Sequence, residues 1–305
     1  VHDGLVVVDK PAGFTSHDVV GKLRKIYGQR KVGHAGTLDP DATGVLLVGL
    51  GRATRLLRFL QEQGKAYRGR VVFGIATTTL DAAGEIVDQR PMPVTREEVA
   101  AAMTGFVGDI EQLPPMVSAV KVGGRRLHEL ARKGEEVERA LRPVHVDTFA
   151  LEEFEAGPYP VATVFVECGS GTYVRTLAAD VGTALGGCAH LAVLRRLRVG
   201  SFTLDEARLL EAIEADPAAA VVPLAEAMRD LERVEVDDEG ARGVAHGIAF
   251  APGALAVAGD GPYALVGAGG DLLAVYERRG AALKPAVVVA PAGAAEAAGR
   301  SGEAG

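Results

Sequence analysis

Apolar positions along this 305-residue chain fall into recognisable periods. Residues 5–8 (LVVV) form a short unbroken apolar run closed by Asp9-Lys10-Pro11-Ala12-Gly13, the mark of a strand ending in a turn. Val19, Val20, Leu23 and Ile26 then recur at helical spacing, with Ser16 placed to cap the helix, Gly28 to end it, and Lys22 and Lys25 on its outer side. Alternation through Tyr67, Gly69, Val71, Phe73 and Ile75 predicts a strand with one buried face, and 161–168 (VATVFVEC) predicts another. Thr95 with Glu98, and Thr203 with Glu206, are capping-box pairs, each expected to open an amphipathic helix.

Strands and helices alternate without the regular βαβ cadence of a doubly wound sheet. The expected class is therefore α+β, a mixed and mainly antiparallel central sheet with flanking helices. Residues 112–134 contain Pro114-Pro115 and Gly123-Gly124 among basic residues and predict a long surface excursion. The acidic stretch 226–239 reads as a boundary, beyond which short Val/Ala/Gly-rich segments at 254–258 and 272–276 suggest a small all-β module. From 291 to 305 small and polar residues offer too little apolar surface to offset the entropy of ordering, so a disordered tail is expected.

Composition narrows the function. No run approaches the roughly 18 apolar residues of a membrane span, and the first residues lack a basic segment followed by an apolar one, so a cytoplasmic protein is expected. Cys168 and Cys188 are too few and too far apart for a disulfide framework or a CxxC site, and the seven histidines show no ligand spacing, so neither metal nor cofactor is expected. The net charge of −7 speaks against a nucleic-acid partner until its distribution is considered: residues 1–200 carry 25 Lys/Arg against 23 Asp/Glu, while the remainder carry 8 against 17. Basic residues come in bursts, at Lys22, Arg24, Lys25, Arg30 and Lys31, at Arg52, Arg55 and Arg58, and at Arg195, Arg196 and Arg198. Local potential governs phosphate binding more than the total does.

The segment richest in chemistry is GHAGTLDPDATG at 33–44. Its glycines permit sharp turns and close approach of a ligand, and Pro40 keeps Asp39 out of helical geometry, so an imidazole, a carboxylate and two hydroxyls share one loop. A turn whose aspartate caps a following helix would have the same composition. Asp39-Pro-Asp41-Ala-Thr43 also fits the DxDxT pattern of aspartate-nucleophile phosphatases, but that pattern needs an apolar strand directly before the first Asp, and GHAGTL stands there instead. Gly49-Leu-Gly51 lacks the third glycine of a dinucleotide fingerprint.

Taken in order, VVDKPAGFTSHDVV (7–20), GHAGTLDPDATGVL (33–46), KAYRGRVVFG (65–74), LPPMVSAVKVGG (113–124), GTYVRTLAADVG (171–182) and AHLAVLRRLRVGSF (189–202) closely resemble the TruB-type tRNA pseudouridine-55 synthases over most of residues 4–225. The resemblance implies a pseudouridine synthase catalytic domain at 1–228 and a small PUA-like RNA-binding β-barrel at 229–290. It implies isomerisation of the T-loop uridine of tRNA, with base flipping, no cofactor and a monomeric protein. Asp39 matches the catalytic aspartate and Arg175 its arginine partner, which typically lowers an aspartate's pKa by about 1–3. Tyr67 matches the tyrosine against the target base, His34 the residue that fills the vacated place in the RNA, and Tyr173 and Leu194 residues lining the uracil pocket. Lys10, Asp81, Arg195 and Arg196, with Arg198, would contact or organise the RNA. The sequence departs from the pattern at Thr78, where an aspartate is more usual, and at His128, where tyrosine is. A non-catalytic RNA-binding or tRNA-folding protein using the same surface is the alternative.

Overall fold

A computed structural model describes residues 2–116, 121–122, 125–126, 139–251 and 253–290. The unbroken apolar run of β1 (Gly4–Lys10) has a simple cause: Val6 and Val8 face one hydrophobic cluster, Leu5 and Val7 another, so the strand is buried on both sides. Helix α1 (Ser16–Ile26) follows, but its cap is Thr15 rather than Ser16. The Thr15 hydroxyl accepts the Asp18 N–H (3.0 Å) and the Asp18 carboxylate accepts the Thr15 N–H (2.8 Å), which makes a capping box. Ser16 sits inside the helix, where its hydroxyl exchanges hydrogen bonds with the Leu38 backbone. Then come β2 (Val32–Ala35) and β3 (Thr43–Leu50), a 3-10 turn (Gly51–Arg55) and α2 (Leu57–Gln61).

The predicted alternation is seen in β4 (Lys65–Phe73). It stops at Gly74, whose φ of 83° turns the chain, so Ile75 belongs to the next strand. That strand, β5 (Ile75–Thr77), pairs with β6 (Ile86–Gln89) and holds out the loop carrying Asp81. Helix α3 (Arg96–Thr104) opens on the predicted Thr95–Glu98 box. Next are the edge strand β7 (Gly108–Gln112), the two-residue strands β8 (Lys121–Val122) and β9 (Arg125–Arg126), β10 (Arg142–Glu155) and β11 (Val161–Cys168). The remainder of the expected 112–134 excursion, with His128, lies outside the described residues, as does the 291–305 tail. Helix α4 (Val174–Ala184) leads to β12 (Ala189–Val199) and β13 (Phe202–Thr203). No helix opens at Thr203: Glu206 accepts its N–H at 3.3 Å, but the chain passes through turns and the next helix, α5 (Leu210–Ala215), begins later, followed by α6 (Leu224–Ala227).

These strands form a nine-stranded sheet of order β1-β3-β12-β4-β11-β10-β7, with β2 beside β3 and β13 beside β12. Every pairing in it is antiparallel except β12 with β3. The class is thus α+β with the expected mainly antiparallel centre. One face is covered by α1, α3, α4 and α5. The other is covered by α2 and by the C-terminal residues, whose Ala264, Val266, Leu272, Val275, Val287 and Val289 share a core with Leu5, Val45, Phe59 and Phe202.

The C-terminal unit comprises β14 (Glu232–Glu235), α7 (Asp238–Ala245), β15 (Tyr263–Val266), β16 (Leu272–Arg279) and β17 (Ala282–Val288). Its four strands form an open sheet in that order and do not close into the expected barrel. The 272–276 strand is present, whereas 254–258 is irregular and the strand lies at Tyr263–Val266. Arg52 and Arg55, expected among phosphate-binding bursts, instead donate to the Val289 and Val288 carbonyls at 2.6 and 2.7 Å, and Arg58 pairs with Glu277. They fasten the C-terminal unit to the sheet. Among the described residues no helix is long and apolar enough to cross a membrane.

The parallel contact of β12 with β3, where Arg195 and Arg196 meet Thr43 and Gly44, depends on a glycine. Gly44 has φ +102°, and a Cβ there would overlap the Arg196 backbone. Gly44→Ala is expected to lower stability by at least about 2 kcal/mol, from backbone strain and overpacking together, measured by urea unfolding.

Candidate active site

The loop 36–42 between β2 and β3 carries Asp39, and its rigidity comes from beneath. Lys10 is fully buried, and its Nζ donates to the carbonyls of Pro40 (2.8 Å), Phe14 (2.6 Å) and Pro11 (2.9 Å). Arg196, 1% exposed, donates from Nε to Val45 O (2.7 Å) and from Nη2 to Gly36 O (3.1 Å). Ser16 holds Leu38 from the third side. Burial pulls the Lys10 ammonium down to about 8, against the attraction of Asp41 and Asp39. Lys10 and Arg196, expected to meet or organise RNA, both hold the loop, Lys10 from full burial and Arg196 from the wall of the cleft.

Arg175 enters from the first turn of α4 and is 5% exposed. Its Nε lies 3.1 Å from Asp39 Oδ2 and its Nη1 lies 3.1 Å from Asp81 Oδ2 and from the Thr79 carbonyl. A cation at a helix N-terminus opposes the helix dipole, and two carboxylates offset it here. Asp81, expected at the RNA, is thus engaged by Arg175, by the Thr79 hydroxyl and by the Ala83 N–H. Arg175 does not win the contest for Asp39. Burial raises the Asp39 carboxyl above its ordinary 3.8 more than Arg175 lowers it, and the charges of Asp81 and Asp41 add to the rise. The expected lowering is corrected: Asp39 is paired, yet its carboxyl titrates high.

Above this pair opens a cleft of about 360 Å³. His34, Asp39, Tyr67, Tyr173, Arg175 and Leu194 all line it. Tyr67 is 7% exposed, and burial raises its phenol despite Arg196 nearby. His34, on β2, is desolvated to a pKa of about 4; its Nδ1 is buried without a partner and its ring meets His17 edge-on at 5.5 Å. At neutral pH it is an uncharged imidazole. Leu194 stands opposite Gly69, in a stretch of β12 bracketed by bulges near Ala192 and Leu197 that re-aim Leu194 and Arg196 toward the cleft. A Cβ on Gly69 would stand 2.9 Å from Leu191 Cδ1 and 3.8 Å from Leu194 Cδ1, so the glycine leaves these leucines their room.

Arg195 does not join the cluster: it pairs with Asp9 at 2.7 Å, and Arg198 pairs with Glu167 at 2.6 Å. A roomier groove of about 680 Å³ along α1, lined by His17, Lys22, Lys25 and Glu214, holds none of the cluster. Sequence reasoning missed Lys65, which lines the cleft with its Nζ on the carbonyls of Gln61 (2.8 Å) and Gln63 (2.7 Å) and which burial draws down to about 8. The signal was present, because in a strand Lys65 must share a face with Tyr67 two residues on. Thr78, a departure from the family pattern, accepts the Glu85 N–H and shapes the Asp81 loop.

Over 95% of its length the chain superposes with a TM-score of 0.73 on a protein of an H/ACA ribonucleoprotein bound to a substrate RNA containing 2'-deoxyuridine, covering 86% of that chain at 25% identity. It superposes equally well, at 28% identity and 85% coverage, on a protein of a Cbf5-Nop10-Gar1 complex. The model of the TruB family pseudouridylate synthase N-terminal domain matches residues 24–174, and that of the tRNA pseudouridylate synthase B C-terminal domain matches 175–237. Relatives include tRNA pseudouridine synthase B of Mycobacterium sp. strain KMS, 45% identical over 96% of this chain and 98% of that protein. The same enzyme of Symbiobacterium thermophilum is 51% identical over 81% and 83%. The chain belongs to the TruB family of tRNA pseudouridine synthases, which are isomerases.

Carbon-detected titration of Asp39 is expected to give a pKa above 3.8, and Asp81→Asn to move it down by removing a neighbouring negative charge. Because the folded chain binds this proton more tightly than the unfolded chain, the stability it contributes is present at low pH and is lost as pH rises through the folded value. Asp39→Asn should therefore melt no lower than the parent at neutral pH.

Proposed function

We propose that the chain converts the T-loop uridine at position 55 of tRNA to pseudouridine, with Asp39 as the reacting carboxylate and the base turned out of its stack into the cleft. The observation that carries this reading is the placement of the Asp39 carboxylate on a rigid loop, clasped by buried Arg175, at the wall of a cleft that also takes in Tyr67, His34 and Tyr173. Isomerisation breaks the bond from C1′ to N1 and forms one from C1′ to C5; C5 loses a proton and N1 gains one, so no redox partner or group donor is needed. Whether the carboxylate adds to C6, displaces at C1′ or assists elimination, it acts as the anion. Arg175 keeps that anion available in a site from which burial would otherwise drive it to the acid.

Tyr67 lies where the base would rest and relays the C5 proton in this reading. Extruding a base costs a few kcal/mol. A neutral His34 can fill the gap in the RNA without bringing a charge into the stack, while Tyr173 and Leu194 flank the uracil. RNA specificity arises through splayed loop bases and shape. Residues 1–228 would form the catalytic unit and 229–290 a second RNA-contacting unit. A TruB family assignment and an RNA-bound structural relative both support an RNA substrate.

Tritium release from tRNA labelled at uridine C5 tests the proposal. The parent should release it from the T-loop position, Asp39→Asn should lose at least about 10³-fold in rate, and Tyr67→Phe should lose about 10²–10⁴-fold. Full release by Asp39→Asn would refute the assignment. Since the active form is the carboxylate and its pKa is raised, the rate should fall as pH drops through a value above 3.8.

A further inference from the structure

We infer that Gln112 is a positioning residue for this reaction: its buried side-chain amide pairs both ways with the Tyr173 backbone and so sets the start of α4, from which Tyr173 and Arg175 enter the cleft. The inference rests on the proposed role of Asp39 and Arg175.

Helix α4 begins without a side-chain cap, because its N-cap is Tyr173. Gln112 does the capping from outside the helix. Its Oε1 accepts the Tyr173 N–H at 2.9 Å and its Nε2 donates to the Tyr173 carbonyl at 3.2 Å. The same carbonyl accepts the Leu177 N–H at 3.1 Å, closing the first helical turn. One amide therefore fixes residue 173 as a neighbouring strand would, restraining both slide along and rotation about the helix axis.

Gln112 is 1% exposed and ends β7, the edge strand, where its backbone pairs with Arg142. A residue needed only to fill the sheet edge could be apolar and would avoid the cost of burying an amide. Both polar atoms of this amide go to one residue, and that residue lines the cleft. Two positions on, the Arg175 guanidinium spans Asp39 and Asp81, each at 3.1 Å. A displaced first turn would open the longer of its contacts with Asp39, which already stands at 3.4 Å.

The test uses the full chain with Gln112→Met, which keeps the volume and loses both bonds, and Gln112→Glu, which keeps the acceptor and loses the donor. Ile110→Ala, on the same strand but half-buried and without a bond to Tyr173, controls for a weakened edge. Misplacing a catalytic group by about an ångström can cost 10²-fold. The expected result for Gln112→Met is a single-turnover rate about 10–100-fold lower, tRNA affinity within about threefold of the parent, and the Asp39 titration moved further up. Gln112→Glu should be intermediate, and Ile110→Ala should lose stability while keeping rate and titration. An unmoved Asp39 titration in both Gln112 variants, or an equal rate loss in Ile110→Ala, overturns the inference. The titration reads the coupling without reference to activity, so failure of the parent to release tritium from tRNA would count against the proposed function alone.

Discussion

The structure turns on one guanidinium. Arg175 is buried at the start of a helix, where the dipole opposes its charge, and it is tolerated because carboxylates reach it from two other elements. The loop after β2, the hairpin loop between β5 and β6, and the N-terminus of α4 must therefore converge. They are separated by 94 and 136 positions in the chain. A buried ion pair of this kind is a poor source of net stability, because desolvation consumes most of the attraction, but loss of the shared Arg175, which would leave two carboxylates facing each other, typically costs about 3–5 kcal/mol. Such a triad selects one arrangement of three elements more than it strengthens the fold.

The other cations of the site serve the same arrangement. Lys10 and Arg196 spend their donors on loop carbonyls, and Lys65 spends two on the chain entering β4. Arg52 and Arg55 tie down the C-terminal unit. Of the cations in the sequence bursts only Arg196 is buried, whereas Arg52, Arg58, Arg195 and Arg198 keep part of their side chains at the surface while engaging backbone or carboxylates. Lys65, Arg175 and Arg196 line the cleft beside Asp39 in a chain whose net charge is −7, so the balance of charge at the site differs from that of the whole.

Legibility followed the range of the interaction. The unbroken apolar run of β1, the alternation of β4 and β11 and the cap of α3 are local patterns and were readable. The Thr203–Glu206 pattern failed because the same carboxylate-to-amide bond forms at a strand end without a helix behind it. The strand at Tyr263–Val266 was missed because all four residues are buried, which leaves no alternation to detect. Within the site, the ordered motifs located Asp39, Tyr67 and Arg175 but could not show that Asp81 shares Arg175, nor that burial outweighs the arginine at Asp39. Gln112 was beyond sequence reading altogether, because its partners are backbone atoms 61 residues away.

Sharing Arg175 between two aspartates has a chemical consequence. A dedicated arginine would quench its carboxylate, leaving a stable, weakly basic ion pair. Asp81 takes Nη1 and adds negative charge beside Asp39, so the Asp39 anion is kept in place by geometry yet held at elevated free energy. With 38% of its side chain still exposed, the carboxylate faces the open cleft. In the proposed reaction a neutral base entering between Tyr67 and Leu194 would cover that exposed part and raise the anion further, as it forms or stabilises a bond. In that proposed reaction Asp81 would act as a counterweight that keeps Arg175 from satisfying Asp39 too well.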